Sequence, residues 1–200
     1  MVERADDEPD LPADVVAEVE EYARVVVHGG FTALDDAVEE VAEHFEDGEH
    51  PVTPEAARAV VERVWRERSA EQDGWPASTD VDRLFTVFEA LDRGGITARA
   101  DFTCCQTCGH AEIGDEAAEG ARGYVFFHRQ DTESAVAHGH VWLAYGSLGE
   151  VADHAAADEA VGREVVAALT AGGLPVEWNG SVRTRISVGP ITWQKRLPVG

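Results

Sequence analysis

Apolar residues recur every three or four positions between residues 13 and 93, which is the spacing of one face of an α-helix. The clearest helix start is Thr53-Pro54-Glu55, because it supplies a capping side chain, a proline at the first helical position and an acid at the positive helix end. Gly29-Gly30 is a typical helix stop. The pattern predicts about four amphipathic helices in an N-terminal helical bundle or layer.

The spacing changes after Gly94-Gly95, where apolar and polar residues alternate from Ile96 to Cys104 as they do in a half-buried strand. Asn179-Gly180 suits a tight hairpin turn. The pattern predicts an α+β domain over residues 96–200 with a mixed sheet of about five strands. Its predicted strands cover residues 96–104, 124–128, 141–145, 176–178 and 182–188, and its helices cover residues 115–121, 131–139 and 153–171.

The predicted organisation therefore has three parts. Residues 1–12 carry five acids and two prolines with little apolar surface, which predicts a disordered acidic tail. Residues 13–93 form the helical segment, and residues 96–200 form the α+β domain.

The net charge of the chain indicates which kinds of binding partner are favoured. The net charge of the 200-residue chain is -23, and 15 of its 16 basic residues are Arg, with Lys195 as the exception. This composition indicates adaptation to high salt, which screens repulsion between surface carboxylates, so we expect stability to rise with added salt. A nucleic-acid partner is disfavoured because a phosphate backbone needs a basic surface. A protein partner stays open.

Nothing in the hydropathy pattern favours a membrane or an exported protein. Residues 1–30 lack the basic start and apolar core of a signal peptide. The longest apolar run, around Val141 to Ala144, is far shorter than the roughly 20 residues of a membrane-spanning helix. We therefore expect a cytoplasmic protein.

All three cysteines lie within five positions, at Cys104, Cys105 and Cys108. The Cys105-x-x-Cys108 spacing allows two thiolates to bind one Zn²⁺, and a tetrahedral site needs two further ligands. Strand phase places Cys104 on the inward face. We therefore expect the remaining metal ligands to be His110 or His128, since parallel strands 96–104 and 124–128 would end at the same sheet edge.

Two other interpretations of the cysteines stay open. In the first, the cysteines are buried as small hydrophobic residues. In the second, Cys105 and Cys108 are the reactive thiols of an enzyme, either an oxidoreductase or a Cys hydrolase, and His128 and Asp131 would assist them. A single Cys-x-x-Cys is a weak signal. Because no acid-base or nucleotide motif accompanies it, we expect a non-catalytic binding or regulatory module with zinc as its cofactor.

The basic residues near the C-terminus form a second candidate site. Residues 179–200 contain four basic residues and no acid, and Arg183 and Arg185 would share one face of a strand. This predicts contact with an anion or an acidic partner. The alternative is that both arginines pair with the protein's own carboxylates.

Three stretches carry a resemblance: Phe102 to Gly109, Tyr124 to Glu133, and Gly173 to Gly180 with its Glu-Trp-Asn-Gly ending. Together they resemble an uncharacterised prokaryotic family, a domain of unknown function. The resemblance is strong over residues 96–200 and weak over the helical part, and it implies no activity.

Overall fold

The computed structural model describes residues 11–199, so all but the last two residues of the predicted acidic tail lie outside the described part. Two compact units are present. The helical unit comprises residues 11–76 with residues 195–199, and the sheet unit comprises residues 77–194. Every helix within residues 11–199 is too short or too polar to cross a membrane.

The helical unit contains α1 (Ala13–Gly29), α2 (Leu34–His44) and α3 (Pro54–Gln72), which pack pairwise on one another. The side-chain oxygen of Thr53 caps α3 by accepting from the Ala56 backbone N–H at 3.2 Å. Gly30 ends α1 in the left-handed conformation at φ 77°. These ends follow the predicted start and stop signals, so the first three helices are confirmed.

Valine and alanine alone form the buried core of the helical unit. The chain returns to this unit at its C-terminal end, where the Lys195 ammonium donates to the Gly30 carbonyl at 2.8 Å. The Leu197 backbone N–H donates to the Gln72 side chain at 2.6 Å. Hydrogen bonds from the last residues therefore hold helix ends that are more than 100 positions away in sequence.

The sheet unit begins with a helix and then alternates strands and helices. Thr79 caps its first helix with a reciprocal pair of hydrogen bonds to Asp82. The elements are α4 (Asp80–Arg93), β1 (Ile96–Arg99), α5 (Gln106–Glu112), β2 (Gly123–Phe126), α6 (Arg129–His138), β3 (Val141–Ser147), α7 (His154–Ala171), β4 (Val176–Glu177) and β5 (Ile186–Val188).

The five strands form one mixed sheet in the order β1-β2-β3-β5-β4. β1 and β2 are parallel, with Ile96 opposite Gly123, and the remaining neighbours are antiparallel. Helix α7 packs on β3, and α4 packs on β1. The predicted α+β class, the mixed sheet and the parallel first pair are confirmed.

Helix α4 lies in the sheet unit with β1, whereas the sequence pattern placed a boundary between them at Gly94-Gly95. That boundary was drawn where the hydrophobic period changes, and a change of period marks a new element without showing which elements pack together. The predicted division into residues 13–93 and 96–200 stays a prediction.

Three local predictions in the sheet unit were wrong. β1 ends at Arg99 instead of Cys104, and the helix predicted over residues 115–121 forms instead at Gln106–Glu112. β4 and β5 do pair, but residues 178–185 join them as a longer loop. In place of a tight Asn-Gly turn, this loop is anchored to β3 by the Tyr145 hydroxyl, which lies 3.1 Å from the Ser181 carbonyl and 3.2 Å from the Thr184 carbonyl.

Candidate metal centre

The segment that leads into the cysteines is irregular but firmly held. Asp101 and Thr103 have φ angles of 51° and 61°, a region that non-glycine residues rarely adopt. The Phe102 backbone N–H between them donates to the Phe127 carbonyl at 2.9 Å, and the Thr103 hydroxyl donates to the Cys105 carbonyl at 3.1 Å. The two positive φ angles break the strand alternation, so the predicted inward position of Cys104 was wrong and its side chain is exposed.

The cysteines lie at the start of helix α5, with Cys108 in its first turn and Cys104 and Cys105 just before it. Cys105 is the residue before the helix, and its carbonyl accepts the Gly109 backbone N–H at 3.0 Å. Gly109 is buried, and a Cβ at this position would overlap the ring of Phe126. The glycine therefore allows α5 to lie close against β2.

The three sulfur atoms meet at the start of α5. The Sγ atoms of Cys104, Cys105 and Cys108 lie within 4.8 Å of one another, and those of Cys104 and Cys108 are 3.6 Å apart. Four sulfurs bound to zinc at about 2.3 Å in a tetrahedron are separated by about 3.8 Å. Within residues 11–199, no other set of three or more His, Cys, Asp or Glu side chains is gathered this closely.

The thiols differ in how easily they lose a proton. Hydrogen bonds from the Cys108 backbone N–H, from the Cys108 and Cys104 thiols and from the Thr107 backbone N–H lower the pKa of Cys105. Hydrogen bonds of the Cys108 thiol with the sulfurs of Cys104 and then Cys105, followed by repulsion from negative charge on those sulfurs, raise the pKa of Cys108 to about 11. Cys105 is therefore expected to ionise before Cys108.

His110 lies on α5 but outside this group of sulfurs. Its Nδ1 is 3.0 Å from the Tyr124 hydroxyl, and its Nε2 is 3.2 Å from the Gln106 side-chain nitrogen. A neutral ring with its proton on Nδ1 satisfies both contacts, and burial followed by the charge of Arg185 lowers the pKa of His110. Binding a metal would cost His110 one of these hydrogen bonds.

His128 also lies outside the sulfur group, although β1 and β2 end at one sheet edge as predicted. It precedes α6 and is buried, and burial lowers its pKa although the Asp131 carboxylate opposes that shift. Its Nε2 is 3.1 Å from Asp131 Oδ2. The structure thus gathers Cys105 and Cys108 with Cys104 and gives both histidines other contacts; the histidine ligands stay a prediction.

Arg183 and Arg185 lie in the loop before β5, not on one face of a strand as the alternation suggested. Arg185 forms an ion pair with the buried carboxylate of Asp131 and donates to the Trp142 carbonyl. Arg183 is exposed and makes no ion pair within residues 11–199. The two arginines therefore have different surroundings.

Cys104 is the member of the site that sequence reasoning missed. Strand phase argued against it, and the phase fails because Asp101 and Thr103 turn the chain. The signal in the sequence was its position next to Cys105, within four residues of Cys108. The prediction of a continuous strand over residues 96–104 led us to assign Cys104 to the core instead of to the site.

These features define an α+β protein with three clustered thiols at the end of a short parallel strand pair. The chain belongs to a family described as a domain of unknown function, DUF6891, whose sequence profile matches residues 12–197. This confirms the resemblance to an uncharacterised family, and the match includes the helical unit. Neither a curated protein nor a solved structure matches the chain.

Proposed function

We propose that this protein is a non-catalytic binding or regulatory module that holds a zinc ion through Cys104, Cys105 and Cys108. The approach of the three sulfurs to within 4.8 Å of one another carries the proposal. Thiolates select soft or borderline metals such as Zn²⁺ and Cu⁺ over Mg²⁺ or Ca²⁺. The separation of 3.6 Å between the Cys104 and Cys108 sulfurs fits a shared zinc ion with little movement.

Three thiolates leave the fourth tetrahedral position for another ligand. Within residues 11–199, no fourth Cys, His, Asp or Glu belongs to the compact group, so water or a bound partner would complete the coordination. His110, two residues after Cys108, is the nearest histidine in sequence and would complete it at the cost of one hydrogen bond. An exchangeable fourth position suits a module that senses or binds a ligand.

Proton release should accompany metal binding. The pKa of Cys108 is raised to about 11, so its thiol is protonated at neutral pH and must lose that proton to bind an ion. Affinity should therefore rise with pH through the neutral range. The affinity for any other metal that binds thiolates should also rise with pH.

The decisive experiment is metal analysis of the full chain purified without chelators, with Cys104→Ser, Cys105→Ser and Cys108→Ser variants. We expect about one zinc per chain in the wild type and a large loss in every variant. Cobalt substitution should give sulfur-to-cobalt charge-transfer absorption that is lost in the same variants.

Thr107→Ser is the matched control, because residue 107 lies between the cysteines and offers no sulfur in either form. Its zinc content should equal that of the wild type. A wild type with less than about 0.2 zinc per chain would overturn the proposal. Normal zinc in Cys104→Ser would show that Cys104 is not a ligand.

A thiol-dependent enzyme is the second candidate, and the unequal acidity of Cys105 and Cys108 favours it. A nucleophilic thiolate beside a protonated thiol is the arrangement that thiol-disulfide exchange uses. The pH dependence of iodoacetamide alkylation, resolved by peptide mapping of metal-free protein, tests it. Cys105 should react at the lowest pH, whereas a common reactive pKa near about 8.5 would argue against this candidate.

A further inference from the structure

A small cleft of about 100 Å³ lies beside the cysteine-bearing helix in the sheet unit. α5 and β3 each contribute two lining residues, and the loop over residues 178–185 contributes the other four. The polar side chains around it are Gln106, His110, Tyr145, Arg183, Thr184 and Arg185.

The cleft has no acidic residue in its lining, although 39 of the 200 residues of the chain are Asp or Glu. The segment 178–194 likewise contains two arginines and no acid. Arg183 makes no ion pair within residues 11–199, whereas most arginines of this acidic protein are paired. A free guanidinium in an acid-free cleft favours a ligand that carries negative charge.

Arg185 supplies a second, independent observation. One of its terminal nitrogens is held by Asp131 and by the Trp142 carbonyl, which fixes the guanidinium in place. Its Nε is nevertheless buried and has no hydrogen-bond partner within residues 11–199. A buried donor without an acceptor is costly, so an acceptor at this position would be favourable.

The loop that presents the arginines is ordered before any ligand binds. The Asn179 side-chain oxygen accepts from the Ser181 backbone N–H at 2.9 Å and from the Thr184 hydroxyl at 2.7 Å. Tyr145 ties the same loop to β3 through the Ser181 and Thr184 carbonyls. Little ordering entropy would therefore be lost on binding.

The volume limits the ligand. About 100 Å³ is well below the roughly 300 Å³ at which pockets for drug-sized ligands begin, so a nucleotide or a large cofactor does not fit. A water molecule takes about 30 Å³ of liquid volume, so the cleft has room for more than one water. A group of three to five heavy atoms fits the cleft better than a single water molecule does.

We infer that this cleft is a binding site for a small oxyanion, a phosphate, sulfate or carboxylate group, held by Arg183 and Arg185 with the amide of Gln106. Because Gln106 follows Cys105 directly and is the first residue of α5, the bound group contacts the short helix that contains Cys108. The inference does not depend on whether the cysteines hold a metal.

A larger cleft of about 960 Å³ in the helical unit is a poorer anion site. Four carboxylates line it, and Asp35 and Glu62 already bind its Arg58. Fixed negative charge of this density repels an oxyanion. The smaller cleft is therefore the stronger candidate.

Isothermal titration calorimetry of the full chain with inorganic phosphate, sulfate and acetate tests the inference. The buffer should be bis-Tris propane with KCl at constant ionic strength, since sulfonate buffers would compete. We expect one site per chain for phosphate or sulfate, with a dissociation constant below about 10 mM. Acetate has fewer oxygens and a single charge, so strongest binding by acetate would identify a carboxylate ligand.

Arg183→Gln should weaken binding by about tenfold or more, and it should fold normally because Arg183 is exposed and unpaired. Arg163→Gln removes the same charge from an exposed position on α7 and should change the affinity less than about twofold. Failure of all three anions to bind the wild type would overturn the inference. Equal affinity in Arg183→Gln and Arg163→Gln would also overturn it.

Discussion

The two units of this protein bury different kinds of side chains. The helical unit buries only valine and alanine in its core, and its charges are paired at the surface, where Glu20 joins Arg24 and Arg63 at 2.7 Å each. The sheet unit buries large side chains such as Phe126 and Phe127 and also encloses polar ones. Of the seven buried polar or charged residues within residues 11–199, six lie in the sheet unit and Arg68 is the exception.

This difference indicates where function is located. Buried polar groups and positive φ angles at Asp101 and Thr103 cost stability, and proteins commonly retain such features at binding sites. The thiols, the oxyanion cleft and the pair of His128 with Asp131 all lie in the sheet unit. The helical unit shows regular helices and a uniform apolar core, which is the pattern of a region selected for stability.

The largest expected difference between the two units is in the stability lost when a core side chain is truncated. Phe127→Ala should lower the free energy of unfolding of the sheet unit by about 4 kcal/mol, because a whole buried ring is lost and a cavity remains. Val61→Ala in the helical unit removes two methyl groups and should cost about 2 kcal/mol. Urea titration followed by hydrogen exchange measures each unit separately, and equal losses would contradict the contrast between the cores.

The second difference concerns ion pairs. Arg185→Gln should destabilise the sheet unit by about 3 kcal/mol, because it leaves the Asp131 carboxylate buried without a cationic partner. Arg63→Gln breaks a pair with Glu20 that is open to solvent and should cost about 0.5 kcal/mol in the helical unit. Losses of similar size, measured by the same exchange experiment, would show that Asp131 accepts water once Arg185 is gone.

The smallest expected difference concerns pH. Burial lowers the pKa of His110 and His128 in the sheet unit and of His28 in the helical unit, from an ordinary value of 6.5. Since the unfolded chain then binds more protons, stability is complete above about pH 6.5 and falls as the pH drops below it. With two such residues against one, the sheet unit should lose more stability over this pH range.

The helical unit should show a further loss of stability at lower pH. Hydrogen bonds from Arg63 and then Arg24 lower the pKa of Glu20 from 4.5 to about 2. Its contribution is therefore present above pH 4.5 and is lost as the pH falls towards 2. Hydrogen exchange at a series of pH values checks both expectations, and a larger loss of stability in the helical unit above pH 4.5 would contradict the assignment.

The sequence predicted well those features that depend on local spacing. The helical period with Thr53-Pro54 set α3, and the aromatic run from Tyr124 set β2, because each signal lies within the element it describes. Cys105 and Cys108 were identified for the same reason. The failures at residues 100–115 arose because two positive φ angles, stabilised by contacts with Phe127 and the Cys105 carbonyl, interrupt the pattern.

What the sequence alone determined is the class: an acidic α+β protein with four helices before a mixed sheet, and a cysteine cluster as its candidate chemistry. Only the tertiary structure decided which groups meet. It placed the Cys104 thiol beside the other two thiols, and it paired Arg185 with Asp131, which is 54 positions away in sequence. Periodicity reports which side of an element faces the core, whereas a site depends on contacts between elements distant in sequence, which no local pattern records.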